Sequence, residues 1–533
     1  PGCLIRNCDL GAKDFSEQNL AGIQFKGVNL KQSKFRNCVL SRAVFEDVNL
    51  EQSDFSMAQI DHGRFIKTVM TGSLFFNARL EKAHFSECDI SLCDFSGADL
   101  SCAVISNVCM DRSLFPHAGF NEVVISDSSL EAAEFTRCRM KNMRISNTLL
   151  AGGNFSQCRL GLSQFHGVNA QNADFKESDL TGAVFDKAQL QGSGFSHAVL
   201  DGVKFQHTSL KEAGLQGTVL STALFHQCDL TGLDVSGHDF QQTDFAGAML
   251  TQVNFSGCTL EDIDFSRACL RGANFTGAVL KDTTMAGADL RQAIFAKSCL
   301  NYCDLGGCRL DQADFTGARL IQIDLEGNDF TSTRIDTTCF HLCCLKSACF
   351  AGMDLSGCDF TDSDLSSARM MHANLFGALL TQVNFTGANL EKINMQQAKG
   401  RYVDFTGTRL SEATLTGAVF RSARFENAHA ALADFSTATL DRGEFIHACC
   451  RGAVFKNCGL SFSDFSHADL TGADFTGANL QQSRFHRVTG THFCLDKAFT
   501  LHAEYTDQCL ALAEDFTPPK PGWSPETWLK EIV

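Results

Sequence analysis

TGADFTGANL, residues 471–480, holds two copies of a five-residue unit that sets the pattern of the whole chain. In each unit a small residue lies two positions before a large apolar residue, as Ala473 does before Phe475. Residues two apart on an extended segment face the same way, so both should point inward and the Asp or Asn between them outward. The Thr-Gly pair that follows predicts a corner, because the second central residue of a type II turn needs the positive φ that glycine adopts freely.

Large apolar residues recur every five positions along most of the chain. The series runs from Ile5 to Phe485 without insertion or deletion, one unit every five residues and 97 units in all. Forty of the 46 phenylalanines lie on this series, and 30 of the 43 glycines lie at the second corner position. A period of five fits neither a helix nor a plain strand. We therefore predict a coil in which three extended residues alternate with two-residue corners.

This pattern resembles the A(D/N)LxX signature of pentapeptide-repeat proteins over about residues 3–485. The resemblance implies an all-β fold, a right-handed quadrilateral β-helix with four units per coil, and hence about 24 coils. At the spacing of paired strands, such a solenoid would be on the order of 115 Å long. The phenylalanines move onto multiples of ten near Phe330–Phe360, which predicts that the stacked phenylalanines change face between Phe315 and Phe385.

The sequence divides into a solenoid over 1–485, degenerate final coils over 486–510 and a C-terminal tail over 511–533. The tail contains four of the six prolines and both tryptophans, and Ser524-Pro525-Glu526 is typical of a helix start. We expect this short helix either to cover the last coil or to act as a docking or dimerisation peptide. Its candidate contact residues are Trp523, Trp528, Leu529 and Ile532.

The other end of the chain is already in register with the repeat at its first residues. An uncovered coil exposes strand edges and apolar core. We therefore expect the polypeptide to continue upstream with a cap or another domain.

Composition excludes several classes of protein. The net charge of −16 argues against a nucleic-acid-binding protein, and no apolar run is long enough to span a membrane. Fourteen of the 25 cysteines lie at the small inward position, where we expect free thiols that fill the core in a reducing compartment such as the bacterial cytoplasm. Cys138 and Cys158 lie one coil apart, so a disulfide between them is the alternative.

No catalytic arrangement emerges from the polar residues. The 16 histidines are scattered, and the outward aspartates, such as Asp94, Asp99, Asp174 and Asp474, recur as part of the repeat. A filled coil also lacks the cleft that an active site needs. We predict no catalytic, cofactor-binding or metal-binding residues and a protein that is not an enzyme.

Two functions are consistent with an elongated solenoid. The first is a scaffold for protein partners within a larger bacterial protein, because long arrays resemble those of type VI secretion accessory proteins and secreted effectors. The second is a DNA mimic that binds a type II topoisomerase, as the family resemblance implies for small members. Duplex DNA of the predicted length would carry roughly 70 negative charges. This chain has a net charge of only −16, far fewer than a DNA mimic of that length would need. The scaffold is therefore favoured, in the cytoplasm or exported by a dedicated system.

Four exposed corner positions carry large apolar side chains and share one remainder modulo 20. With 20 residues per coil, such positions should lie along one edge, and exposed aromatic residues in a column are typical of docking surfaces. The predicted protein-binding residues are Tyr302, Leu342, Tyr402 and Phe462.

Overall fold

The computed structural model describes residues 2–220 and 222–515. The chain forms two compact units. Unit 1 comprises Pro1–Ala318 and Ser332–Arg334, and unit 2 comprises Arg319–Thr331 and Ile335–Val533. Both are parallel β-solenoids, as the repeat predicts.

In unit 1 the extended segments are three residues long and pair in sequence order. Twelve of them, β1–β12, form one parallel sheet, and β13–β16 pair consecutively in the same way. Their bounds are β1 Leu4–Arg6, β2 Gln24–Lys26, β3 Val44–Glu46, β4 Arg64–Ile66, β5 His84–Ser86, β6 Val104–Ser106, β7 Val124–Ser126, β8 Arg144–Ser146, β9 Gln164–His166, β10 Val184–Asp186, β11 Lys204–Gln206, β12 Leu224–His226, β13 Asp239–Gln241, β14 Thr259–Glu261, β15 Val279–Lys281 and β16 Cys299–Asn301.

In unit 2 the described strands are fewer, and a short helix follows the last coil. Strand β17 pairs with β18 and β19 with β20, both in parallel. The helix α1 begins after Asp507, whose side chain accepts hydrogen bonds from the N–H groups of Cys509 and Leu510. The bounds are β17 Arg319–Ile321, β18 Cys339–His341, β19 Lys399–Arg401, β20 Val419–Arg421 and α1 Gln508–Glu514.

Every pairing joins residues 20 positions apart. Phe165 pairs with Phe185 in β9 and β10, and isolated bridges on the other sides of the coil follow the same register, as between Asp94 and Leu114. The last of these bridges joins Arg484 to Glu504. One coil therefore contains four five-residue units, which confirms the quadrilateral arrangement.

The centre residues form the core of each unit. Phe155 and Phe475 are completely buried, whereas Phe15 in the first coil is half-buried and stacks on Phe35 at 5.0 Å between ring centroids. Even the small centres Ala170 and Ala430 are inaccessible to solvent or nearly so. Burial of these side chains supplies the main stabilisation of the coils.

Phenylalanines one coil apart stack face to face, and those on opposite sides meet edge to face. Phe165 and Phe185 lie 4.5 Å apart in stacked geometry, while Phe175 meets Phe185 edge-on at 6.0 Å. In unit 2 the stacked pairs Phe330–Phe350 and Phe340–Phe360 are followed by Phe385–Phe405. The stacked phenylalanines therefore change sides within the predicted stretch.

Corner geometry explains why glycine is frequent but not required. The second corner residue has a positive φ, 68° at Gly97, where glycine is unstrained. Many corners carry another residue with the same geometry, such as Asn147 at 50° and Tyr402 at 58°. The N–H of Tyr402 donates to the carbonyl of Arg421 on the next coil at 3.1 Å. Stacking thus holds the corner backbone, and the corner side chain is free to vary.

Candidate protein-binding surface

The outward aspartates have a structural task. The Oδ1 atom of Asp94 accepts the N–H of Ser96 at 2.9 Å, and Asp474 accepts that of Thr476 at the same distance. Asp99 and Asp174 make the same bond two residues ahead. This side chain closes an Asx turn at the corner. Their recurrence is therefore explained by the backbone.

The inward Ser, Thr and Cys side chains satisfy carbonyl groups inside the coil. The thiol of Cys138 donates to the carbonyl of Phe115 at 2.8 Å, and that of Cys158 to Phe135 at 2.7 Å. The hydroxyl of Ser53 makes the equivalent bond, to a residue 23 positions earlier. All 25 cysteines are free thiols. Cysteine thus replaces serine as a small donor at this position.

Burial makes the inward thiols weak acids. Burial, with a contribution from the neighbouring Cys158, raises the pKa of Cys138. Since the thiolate is the nucleophile and metal ligand, such thiols are inert at neutral pH. Burial raises the pKa to about 12 for Cys93, Cys228, Cys303, Cys308, Cys343 and Cys358.

The predicted docking residues are exposed at corners. Tyr302 lies in unit 1 with 54% of its surface exposed. Leu342, Tyr402 and Phe462 lie in unit 2 and are 44%, 63% and 51% exposed. All four have a positive φ, as corner residues do.

One edge of unit 2 brings three of these residues into register. Corner N–H groups donate to the next coil in an unbroken series, including Leu342 to Thr361 and Phe462 to Gln481. The same edge carries Tyr402 between them. The structure therefore places Leu342, Tyr402 and Phe462 along one edge, as the 20-residue period predicts.

Three arginines lie among the aromatic residues of this edge. An open groove of about 430 Å³ is bordered by Arg401, Tyr402, Arg421, Arg442 and Phe462. We call these five residues the basic–aromatic groove. The three arginines lie outside the apolar pattern from which the docking residues are predicted. The sequence signal that could have identified them is their position: Arg442 has the same remainder modulo 20 as the aromatic residues, and Arg401 and Arg421 have the remainder one lower.

Charges in the basic–aromatic groove are only partly neutralised. The guanidinium of Arg442 lies over the ring of Phe462, 5.8 Å from its centroid, in cation–π geometry. Arg421 lies 3.9 Å from a carboxylate oxygen of Asp441, which also accepts the N–H of Ser461. Within the described ranges, the structure assigns no ion pair to Arg401 or Arg442. The groove therefore presents positive charge beside exposed aromatic surface.

A second polar cluster, absent from the sequence analysis, joins α1 to the last coils. Glu514 lies 3.2 Å from the Nε2 atom of His486, 3.4 Å from His467 and 3.3 Å from Arg487. Asp515 also pairs with Arg487. These contacts dock α1 against the coil through its C-terminal end.

This cluster has the composition of a metal site but is built as an ion-pair network. The candidate ligand atoms of His467, His486 and Glu514 lie within 4.8 Å of one another. The Nδ1 atom of His486 accepts the N–H of Asp507, so the ring proton is on Nε2, which faces Glu514. A metal ligand needs the reverse arrangement, with a free Nε2 and a protonated Nδ1. The guanidinium of Arg487 also opposes a cation.

Acidification is expected to release α1. Desolvation opposes ionisation of Glu514, but the hydrogen bond from His486 and the charge of His467 outweigh it and lower the pKa of Glu514 below 4.5. The stabilisation is therefore present above pH 4.5 and is lost as pH falls through the folded pKa. Hydrogen exchange in Gln508–Glu514, corrected for intrinsic rates, should be faster in Glu514→Gln than in the wild type at neutral pH, and the two rates should converge as pH falls through the folded pKa of Glu514. Equal exchange at neutral pH would contradict the docking role.

The remaining predicted contact residues, Trp523, Trp528, Leu529 and Ile532, lie outside the described residues, as does the helix predicted from Ser524. The tail role assigned to them stays a prediction. No helix in the described part of the chain is long and apolar enough to cross a membrane.

Comparison with solved structures finds several repeat proteins. QnrB1, a plasmid-mediated fluoroquinolone resistance protein, is 16% identical, with a TM-score of 0.21; the match covers 40% of this chain and 92% of QnrB1. HetL, involved in heterocyst differentiation regulation in Nostoc sp. strain PCC 7120, is 23% identical, with a TM-score of 0.14, covering 52% of this chain and 91% of HetL. Rfr23 from Cyanothece 51142 is 19% identical, with a TM-score of 0.16, covering 24% and 88%.

Comparison with curated protein sequences gives no match. Two family models match instead, and together they cover more than half of the chain. The model described as pentapeptide repeat region matches residues 146–215 and 218–295. The model described as pentapeptide repeats (8 copies) matches residues 23–58, 78–115, 308–346, 343–382, 378–417 and 448–487. The 20-residue coil and these matches agree: the chain belongs to the pentapeptide-repeat family.

Proposed function

We propose that this protein is a non-catalytic scaffold that holds an acidic segment of a protein partner in the basic–aromatic groove. The observation that carries the proposal is the joint exposure of Tyr402 and Phe462 beside Arg401 and Arg442, which have no ion pair among the described residues. Tyrosine, phenylalanine and arginine are the residue types enriched where protein partners are bound.

The groove combines two sources of binding free energy. Burial of the exposed faces of Tyr402 and Phe462 would remove apolar surface from water. Carboxylates of a partner would form charge-assisted hydrogen bonds with the guanidinium groups of Arg401 and Arg442. A partner with both acidic and apolar side chains fits this surface better than a purely apolar one.

The net charge of the whole chain further restricts the kind of partner that fits the groove. The protein has a net charge of −16, so the groove is a local exception on an acidic molecule. Long-range repulsion would slow the approach of an acidic partner at low salt, while the local attraction holds it once bound. A short acidic segment on a partner that is not strongly acidic overall therefore matches the surface.

The structural role of the outward carboxylates supports a non-catalytic function. Asp94, Asp99, Asp174 and Asp474 are used by Asx turns. Buried thiols such as Cys93 are held protonated, with a pKa of about 12. The groups that most often perform acid–base or nucleophilic chemistry therefore serve the coil.

Removing both aromatic side chains is expected to weaken the binding of the partner strongly. The test variant is Tyr402→Asn with Phe462→Asn, because asparagine tolerates the positive φ of both corners. A partner captured by the wild-type protein and identified by mass spectrometry should bind the purified double variant at least about tenfold more weakly. Arg401→Gln with Arg442→Gln should weaken the same complex and reduce its dependence on salt.

The matched control is Leu432→Asn, at another corner of unit 2. Leu432 is 65% exposed and has a φ of 59°, so the change in exposure and backbone is comparable. Its affinity should equal that of the wild type. Equal losses in the control and in the double variant, or no loss in either, would reject the groove as the binding surface.

A further inference from the structure

A cavity on the surface of unit 1 concentrates positive charge. It has a volume of about 520 Å³, and its lining includes Arg139, Lys141, Arg159, Gly161 and Leu162. Cavities of this size accommodate small organic ligands. We call this feature the arginine cavity.

The cavity exists because one corner lacks a polar side chain. Gly161 contributes no side chain, and Leu162 at the next position lies over the following coil. The Cδ2 atom of Leu162 lies 2.8 Å from the place where a Cβ of Gly182 would be, so the leucine fills the space above that glycine. The result is a recess with a cationic side and one apolar side chain, 54% exposed at Leu162.

A departure from the repeat leaves a backbone donor open in this recess. The residue before each centre is commonly Asp or Asn, whose oxygen accepts the N–H two residues ahead, as Asp179 does for Thr181 at 3.0 Å. At Arg159 the acceptor is replaced by a cation. The structure accordingly shows no acceptor for the N–H of Gly161 within residues 2–220.

The cations of the recess have no ion-pair partner among the described residues. Arg139 and Arg159 lie opposite each other on neighbouring coils, where like charges repel. At equivalent positions Arg334 pairs with Asp314 and Arg424 with Asp404. No such ion pair is assigned to Arg139, Lys141 or Arg159 among the described residues.

One carboxylate, that of Asp179, also lines the recess, but it makes no ion pair with these cations among the described residues. The Oδ1 atom of Asp179 accepts both the N–H and the hydroxyl of Thr181, at 3.0 and 2.6 Å. Two guanidinium groups, one ammonium group and one open N–H therefore border the same recess. This is a set of donors that matches an anion with several oxygen atoms.

We propose that the arginine cavity binds a small organic phosphate, with its phosphoryl group on Arg139, Lys141 and Arg159 and its organic part against Leu162. The phosphoryl oxygens would accept from the two guanidinium forks and from the N–H of Gly161. An arginine fork gives bidentate hydrogen bonds to phosphate that a monovalent halide cannot use. This site lies in unit 1 and is independent of the basic–aromatic groove of unit 2.

The decisive variant is Arg159→Asp, which restores the repeat residue. Its carboxylate would accept the N–H of Gly161 as Asp179 accepts that of Thr181, so the fold should be retained. Isothermal titration calorimetry should show that the wild-type chain binds adenosine 5′-monophosphate and inorganic pyrophosphate, each with a dissociation constant of about 1 mM or lower. Arg159→Asp should weaken both by at least about tenfold.

Arg409→Asp is the matched control, because Arg409 holds the same position of the repeat in unit 2 and has no ion pair in the described part of the chain. It makes the same change in net charge, and its affinity for both probes should stay at the wild-type value. Leu162→Asn should weaken the nucleotide while leaving pyrophosphate unchanged, since only the nucleotide has an organic part. Absence of binding to the wild type, or equal losses in both aspartate variants, would overturn the site.

Discussion

Phe445→Ala is expected to lower the free energy of unfolding of unit 2 by about 3–5 kcal/mol, the usual cost of removing a buried aromatic ring. Phe445 is completely buried. It stacks on Phe425 at 4.5 Å and on Phe465 at 4.7 Å, and it meets Phe435 and Phe455 edge-on. One substitution therefore removes contacts with four rings on three successive coils. Since aromatic pairs add to the free energy of simple burial, the loss should lie toward the upper end of the range.

The effect should be local along the solenoid. Each coil contacts only its neighbours, so a weakened coil can open without the whole chain unfolding. Urea unfolding should therefore be combined with hydrogen exchange resolved to coils, with the largest gain in exchange near Phe445. Phe462→Ala is the matched control: it deletes the same ring at an exposed corner, and its stability should change by no more than about 0.5 kcal/mol. Similar losses for both variants would contradict the inward placement of the centre residues.

The inward placement of individual centre residues could be predicted from the sequence. Because every unit has five residues, the centre residues Phe155 and Phe475 must occupy the same inward position of their units. Both are buried, as this spacing predicts. The position of the strands could not be predicted. They are centred on Phe225 in β12 but on Phe240 in β13, a different side of the coil. The repeat is the same on all four sides, so small differences in corner geometry decide which side pairs over three residues.

Some features of the candidate surfaces could also be predicted from the sequence, and others could not. Residues 60 apart, such as Tyr402 and Phe462, share an edge because each coil has 20 residues, and this could be predicted. Exposed arginines obey no packing constraint, so the apolar pattern did not single out Arg401 and Arg442, even though their positions follow the 20-residue period. The contact of Glu514 with His486 lay beyond prediction, because it requires the coil to end and α1 to turn back over it. The period predicts positions within a coil and not what happens where coils stop.

At Gly400 the period alone and the structure lead to opposite expectations about stability. It occupies a centre, where Ala170 and Ala430 are accommodated, so the repeat predicts that Gly400→Ala should add apolar burial and stability. The structure indicates the opposite. A Cβ at Gly400 would lie 2.7 Å from the carbonyl oxygen of Leu380, 2.8 Å from its carbon and 2.8 Å from Val403.

Two of these three atoms belong to the backbone of a neighbouring coil, which can move only by disturbing its own ladder. Gly400→Ala should therefore lower the free energy of unfolding by about 1–3 kcal/mol, as overpacking does in well-packed cores. Gly459→Ala is the control, because its Cβ would have ordinary contacts of 3.5 Å or more. That control should be neutral or more stable by up to about 1 kcal/mol, since alanine restricts the unfolded chain. If urea unfolding shows Gly400→Ala to be as stable as Gly459→Ala, then the coils can separate enough to admit a methyl group, and stacking between them is softer than their hydrogen-bond ladders indicate.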